Sequence, residues 1–180
     1  MKTDNIQRYL ESLGKYVVKQ SRTRLTKAKK NVNKELYNSI NFKVVPENDG
    51  FSLQFFMADY GTFVDKGVSG NKKERRYKDY QGKTKITDYK YTTKSPPIDI
   101  ISKWIKKRGI KPQGIERGRS KITGQYISGL AYFISAKIKS QGIQGISFFQ
   151  RPLELALKKF PEEMIGAVTE DILNGLTTVK

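Results

Sequence analysis

Carboxylates are this chain's first candidates for metal or acid–base chemistry, because its 180 residues include no cysteine and no histidine. That composition removes thiol nucleophiles, disulfides, the commonest general base and every Ser-His or Cys-His pair. Asp59 and Asp65 lie in the segment Met57-Ala-Asp-Tyr-Gly-Thr-Phe-Val-Asp-Lys-Gly67, and Asp88, Asp99 and Glu116 follow downstream. Two-metal hydrolysis needs several carboxylates converging on ions about 4 Å apart. These acids are scattered singly among lysines, so a metal-dependent nuclease is the weakest of three readings. Asp65 beside Lys66 reads as a turn or interface partner. The glycines Gly109, Gly114 and Gly118 lack the preceding strand and the Lys-Ser/Thr pair of a phosphate-binding loop. No catalytic residue, metal or cofactor is expected.

Charge points elsewhere. Thirty-five Lys and Arg against 17 Asp and Glu give a net charge of +18, which implies polyanionic surroundings: nucleic acid, an acidic protein surface or an anionic membrane face. Residues 66–97 carry ten Lys and Arg against three Asp and Glu, with Lys72, Lys73, Arg75, Arg76, Lys78, Lys83 and Lys85 among Tyr77, Tyr80, Tyr89 and Tyr91. Cations can grip a phosphate backbone while aromatic rings stack on bases. A solvated lysine-rich tract, or a segment that folds on a partner subunit, would read the same way. Arg117 and Arg119 add a second basic candidate site. No sequence-reading motif such as a helix-turn-helix is evident, so any nucleic-acid contact is expected to be backbone-directed and salt-sensitive.

The elements that would position these groups read as α+β: an N-terminal helix, an antiparallel hairpin or small sheet, a long basic loop, then three to four packed helices. Ile6, Tyr9, Leu10, Leu13, Tyr16, Val17 and Leu25 recur at helical spacing, predicting a basic amphipathic helix over residues 3–30 that stops at Asn31 and Asn33. Leu36–Val45 alternates as a strand, Pro46–Gly50 is a turn, and Phe51–Met57 returns. The segment 66–97 reads as a loop, long enough to be functional or disordered, with a short strand pair around Ile86 or Tyr89 left open. A helix follows Pro96 and Pro97, with Ile98, Ile101, Trp104 and Ile105 inward, and Gly109 ends it. Another spans Tyr126–Ser140, with Ile127, Leu130, Ala131, Ile134 and Ile138 on one side and Gly142 as its stop. Phe148 and Phe149 are core staples leading to helices over 152–160 and 161–173, each opening on a proline. The expectation is one domain over residues 1–180, with a basic loop or assembly arm at 66–97. No apolar run reaches the roughly 20 residues of a membrane span and no leader is evident, so a soluble, cytoplasmically assembled chain is expected.

Tyr60, Gly61, Phe63, Val64, Asp65 and Gly67 place large apolar groups on a glycine-flanked connection, where a monomer would expose them. They are the candidate subunit interface. In order, the chain offers the basic helix, Tyr-Gly-x-Phe-Val-Asp-x-Gly (Tyr60–Gly67) and the variable loop. It continues with Ile-x-x-Trp-Ile-x-x-Arg-Gly-Ile (Ile101–Ile110), Gly-Leu-Ala-Tyr-Phe-Ile-Ser-x-Lys-Ile-x-x-x-Gly-Ile (Gly129–Ile143) and Phe-Phe-x-x-Pro-Leu-x-x-Ala-Leu (Phe148–Leu157). Over residues 1–165 this order resembles the tailed-bacteriophage neck proteins, variously called tail-completion, head–tail joining or minor tail proteins.

The resemblance implies a non-enzymatic virion subunit that forms a six- or twelve-fold ring around the DNA channel, between the head connector and the tail tube. Its partners would be copies of itself and neighbouring neck, connector or tail-tube proteins, with sequence-independent contact to genomic DNA and no membrane. A heterologous ring needs two complementary patches on one chain, which the apolar connection and a strand edge or arm could supply. The alternative is a stand-alone, sequence-independent nucleic-acid-binding protein.

Overall fold

The structure is a computed structural model that describes residues 4–30, 34–48, 50–110, 118–119, 126–127 and 129–177. It is α+β, with helices and small antiparallel sheets in the expected order. The contacts divide it into two compact units: residues 1–66, 77–85 and 146–180 form unit 1, and residues 67–76 and 86–145 form unit 2.

Unit 1 is built on α1 (Asp4–Lys27), which buries Leu10, Leu13, Val17, Val18, Ser21 and Leu25 along one stripe. Gly14 lies on that stripe because the Phe42 ring occupies the space a Cβ would need. The helix ends at Lys27, four residues before the first of the predicted asparagines, Asn31. Lys29, at φ 52, takes the left-handed position, and the N–H groups of Lys29 and Lys30 donate to the Thr26 and Leu25 carbonyls. That is the double closure of a helix C-terminus usually given to glycine.

The predicted strand Leu36–Val45 is corrected at its start. Glu35–Ser39 is a short helix, α2, and strand β1 covers Asn41–Glu47. Leu36 and Ile40, both buried, are four residues apart, a spacing that satisfies a helical turn as well as strand alternation. β1 pairs in register with β2 (Gly50–Phe56), from Asn41 opposite Phe56 to Glu47 opposite Gly50. The hairpin packs Phe42, Leu53 and Phe55 onto the core of Leu13, Val17, Leu25, Leu36, Ile40, Phe148 and Phe149.

Next comes α3 (Gly61–Lys66), followed by the supposed loop. The loop carries three short strands: β3 (Gly67–Val68), β4 (Arg76–Lys78) and β5 (Thr84–Ile86), of which β4 and β5 pair. Backbone bonds pin the rest of the tract. Ser69 N–H donates to Tyr89 O at 2.7 Å, Tyr91 N–H to Ser69 O at 2.9 Å, and the Thr87 hydroxyl to Gly67 O at 2.8 Å.

Unit 2 centres on α4 (Ile98–Lys107) against α5 (Gly129–Gln141), with the two-residue strands β6 (Gly118–Arg119) and β7 (Tyr126–Ile127) between them in sequence. Its core is Ile101, Ile105 and Ala131, bordered by Ile98, Leu130, Ile134 and Ile138. Gly109 (φ +65) and Gly142 (φ +68) end the two helices as the sequence implies. Trp104 does not join this core: it is 41% exposed, because α4 packs only the narrow stripe of Ile101 and Ile105 inward. β8 (Ile143–Gln144) then pairs antiparallel with β3.

The two predicted C-terminal helices are one, α6 (Gln150–Thr177), with Pro161 in its interior. Proline removes one backbone donor there, yet the helix continues along α1 on both sides of it. Tyr9 meets Phe160, with ring centroids 5.9 Å apart, while the Asn5 and Ile6 N–H groups donate to Asp171, so α1 and α6 run antiparallel. Burial, with the Glu163 carboxylate nearby, pushes the Tyr9 phenol up to about 12. The folded chain therefore holds this proton more tightly than the unfolded chain, whose tyrosines titrate near pH 10. The associated stability is complete below pH ~10 and is lost as the pH rises towards about 12. Tyr9→Phe is expected to flatten the alkaline limb of urea-midpoint measurements over that window, and an unaltered limb would assign it to other groups.

Candidate functional site

The segment Tyr60–Gly67 divides into two sets of side chains. Tyr60 and Phe63 are exposed at opposite ends of the first turn of α3. Val64 is half-buried and packs against the unit 1 core, while Gly61, Asp65 and Gly67 are buried. Asp65, Gly61 and Gly67, three of the candidate interface residues, thus have their surroundings filled by this chain itself. The space beside Gly61 is filled by Met57 and Leu36, and the space beside Gly67 by the backbone at Ile143 and Gly145.

Asp65 works inside unit 1. Its Oδ1 accepts the Phe149 N–H at 2.7 Å, at the entrance to α6, and its own carbonyl accepts the Ser147 N–H at 3.0 Å. Ser147 sits at φ 46, a strained conformation for a non-glycine residue that these bonds hold in place. Burial pushes the Asp65 carboxyl above the ordinary carboxylate range, against the pull of the Phe149 and Gln150 N–H groups. Asp171 plays the matching part at the other end of α6, with its Oδ1 and Oδ2 accepting the first N–H groups of α1 at 3.1 and 3.0 Å.

Among the described residues, all four buried charged side chains are acids: Asp65, Asp79, Glu154 and Asp171. Asp79 closes the β4–β5 turn by accepting the Gln81 and Lys83 N–H groups, and Lys85 at 2.9 Å holds its carboxyl below the usual range. Lys158 at 3.0 Å and Arg151 at 2.7 Å do the same for Glu154. These carboxylates serve structure. No group of three or more acids that could hold a metal ion exists among the described residues. Sequence reasoning missed Asp171, Asp79 and Glu154. Only their placement in an otherwise basic chain hinted at internal partners.

The basic candidates of the 66–97 tract are not gathered into one site. Lys72, Lys73, Arg76, Lys78 and Lys83 are exposed, whereas Lys85 is committed to Asp79. Arg75 is half-buried, its Nε donating to Gln141 O at 2.7 Å. Lys66 lies over the Tyr77 ring, 5.6 Å from its centroid, so that tyrosine is shielded from stacking on a base. Arg119 is in β6, and Arg117 lies outside the described residues.

What the structure exposes instead is apolar surface that the sequence analysis did not single out. On α6, Ile165, Ile172 and Leu176 are exposed at spacings of seven and four residues, with Thr169 completing the row. On unit 2, Ile100 and Trp104 are exposed one turn apart, and the rings of the consecutive residues Tyr132 and Phe133 are exposed as well. No helix among the described residues is long and apolar enough to cross a membrane. No protein-family model, curated protein or solved structure matches the chain.

Proposed function

We propose that the chain is a structural subunit of the bacteriophage head–tail neck. In this reading it assembles in the host cytoplasm as a homo-oligomeric ring, of six or twelve copies, that joins the head connector to the tail tube or completes the tail around the DNA channel. It performs no catalysis. The supporting observation is the outer face of α6. A helix packed on one side should be polar on the other, yet Ile165 is 67% exposed and Leu176 70%, in a row at coiled-coil spacing. Monomers rarely leave such rows uncovered. Tyr60 and Phe63 offer a second, chemically similar patch on the same unit, as a closed heterologous ring requires.

Mass-resolved chromatography should give a discrete oligomer. Ile165→Ser with Leu176→Ser is expected to shift it to monomer while leaving the unfolding free energy from urea titration within about 0.5 kcal/mol, the range for exposed positions away from caps and cores. Phe63→Ser supplies the second patch variant; Val64 is left intact because it packs in the core. Mass spectrometry of purified virions provides the biological test. A chain that stays monomeric at all concentrations and is absent from virions would leave the stand-alone nucleic-acid-binding protein as the better reading.

A further inference from the structure

We infer that the nucleic-acid contact of this protein is made by a cationic groove between α1 and β1, with the phosphodiester backbone as its ligand, rather than by the basic 66–97 tract. The groove belongs wholly to unit 1 and has a volume of about 720 Å³. Lys15, Lys19, Arg22 and Lys27 line it from α1, Tyr37 and Asn41 close the other side, and no carboxylate is among its described lining residues. Lys15, Lys19 and Arg22, spaced by four and three residues, share one helix face, and with Lys27 at its end the row of lining cations extends about 18 Å at 1.5 Å per residue. That length spans about five phosphates of one strand at 3.4 Å each along a duplex axis.

The charges are held ready for an external anion. Arg22 donates from Nε to Tyr37 O at 3.0 Å and from Nη2 to Ile40 O at 2.9 Å, and it stacks 5.3 Å from the Tyr37 ring centroid. Both acceptors are neutral carbonyls, so the guanidinium is fixed in position with its charge uncompensated and further N–H donors to offer. Lys15 has a weak ion pair with Glu11 at 3.9 Å, while Lys19 and Lys27 are exposed with no carboxylate within ion-pair distance among the described residues. Asn41 Oδ1 accepts the Phe42 N–H, which leaves its Nδ2 as a donor at the rim. A concave row of cations and amide donors suits a phosphate strand. A membrane face would pair its cations with exposed apolar groups, and of the large apolar side chains on α1 only Tyr16 is exposed. The inference rests on the groove alone and stands whether or not the chain forms a ring.

The test is the salt dependence of binding to a fluorescein-labelled duplex oligonucleotide of mixed sequence, read by anisotropy. Lys19→Gln with Lys27→Gln is compared with Lys72→Gln with Lys73→Gln, which removes the same charge from the other tract. Each phosphate contact contributes about −0.9 to the slope of log K against log salt. The groove pair should therefore make the slope shallower by about 1.8, so that raising salt from about 50 to 200 mM costs about twelvefold less affinity than in the parent protein. The tract pair should change it by less than half as much. A single-stranded probe distinguishes the source of the backbone, since the change there should be about 1.4. An equal or larger change from the tract pair overturns the inference. So does a groove pair that loses binding to phosphatidylserine vesicles while keeping the parental duplex slope.

Discussion

Asp65→Ala is expected to lower the stability of the protein by about 2 kcal/mol, while Asp65→Asn should stay within about 1 kcal/mol of the parent. Alanine leaves the Phe149 N–H without its 2.7 Å acceptor in a buried position at the start of α6. An unmet buried donor costs about 1–3 kcal/mol, partly offset here by no longer burying a carboxylate. Asparagine keeps an oxygen at the same reach and removes the charge. The pH dependence separates the two contributions. The folded carboxyl titrates above its unfolded value, so its stabilising effect is fully present below the unfolded pKa of about 3.9 and is lost as pH rises through the folded pKa. The asparagine variant should therefore compare most favourably with the parent near neutral pH and lose ground towards pH 3. Urea titrations at several pH values provide the check. Equal losses for alanine and asparagine at every pH would show that the capping bond contributes nothing.

Gly142→Ala is expected to cost about 3 kcal/mol or more, and Gly109→Ala only about 1 kcal/mol. Both glycines end helices in the left-handed region, at φ +68 and +65, so the conformational cost of a side chain is shared. Their surroundings differ. A Cβ on Gly109 meets nothing within 4 Å, whereas one on Gly142 would collide with the backbone at Val68, Ser69 and Gly70. Backbone cannot step aside as a flexible side chain does, so β3 and β8 would have to separate. Thermal unfolding of the two variants, with amide exchange at Val68 and Ile143, reads this directly. Matching losses at both glycines would mean that the left-handed conformation alone sets the cost. Gly142→Asn sharpens the comparison, because asparagine tolerates the left-handed region and still carries the Cβ.

These two positions also mark where the sequence was legible and where it was not. Gly142 and Gly109 announce themselves locally: a periodic apolar run stops and a glycine follows. The inward faces of α4 and α5 were largely readable, but Trp104 was counted into a stripe too narrow to hold it, and Ile127, counted onto the second helix, lies in β7, two residues before α5 begins. Leu36 and Ile40 misled because positions four apart satisfy both periodicities. Pro161 misled because a proline that tolerates a helix start was found inside one. Of the candidate interface residues, Tyr60 and Phe63 are exposed. Asp65 and Asp171 could not be read, since their partners lie 84 and 166 residues away and a carboxylate carries no local mark of the amide it will accept. The groove on α1 escaped for a related reason. Its lysines were visible as a basic helix face, but the wall that makes them concave comes from Tyr37 and Asn41.

The bond between Asp171 and the first turn of α1 has a consequence for how the chain comes off the ribosome. Helix α1 is secured by a residue synthesised 166 positions after Asn5, whereas unit 2 has all its residues by Gly145. At about 5–20 residues per second, α1 waits several seconds for the rest of its own unit. Vectorial synthesis therefore favours unit 2 closing before α6 is laid along α1. A trigger-factor-like holdase, or a carboxy-terminal truncation before Asp171, would act on that late step.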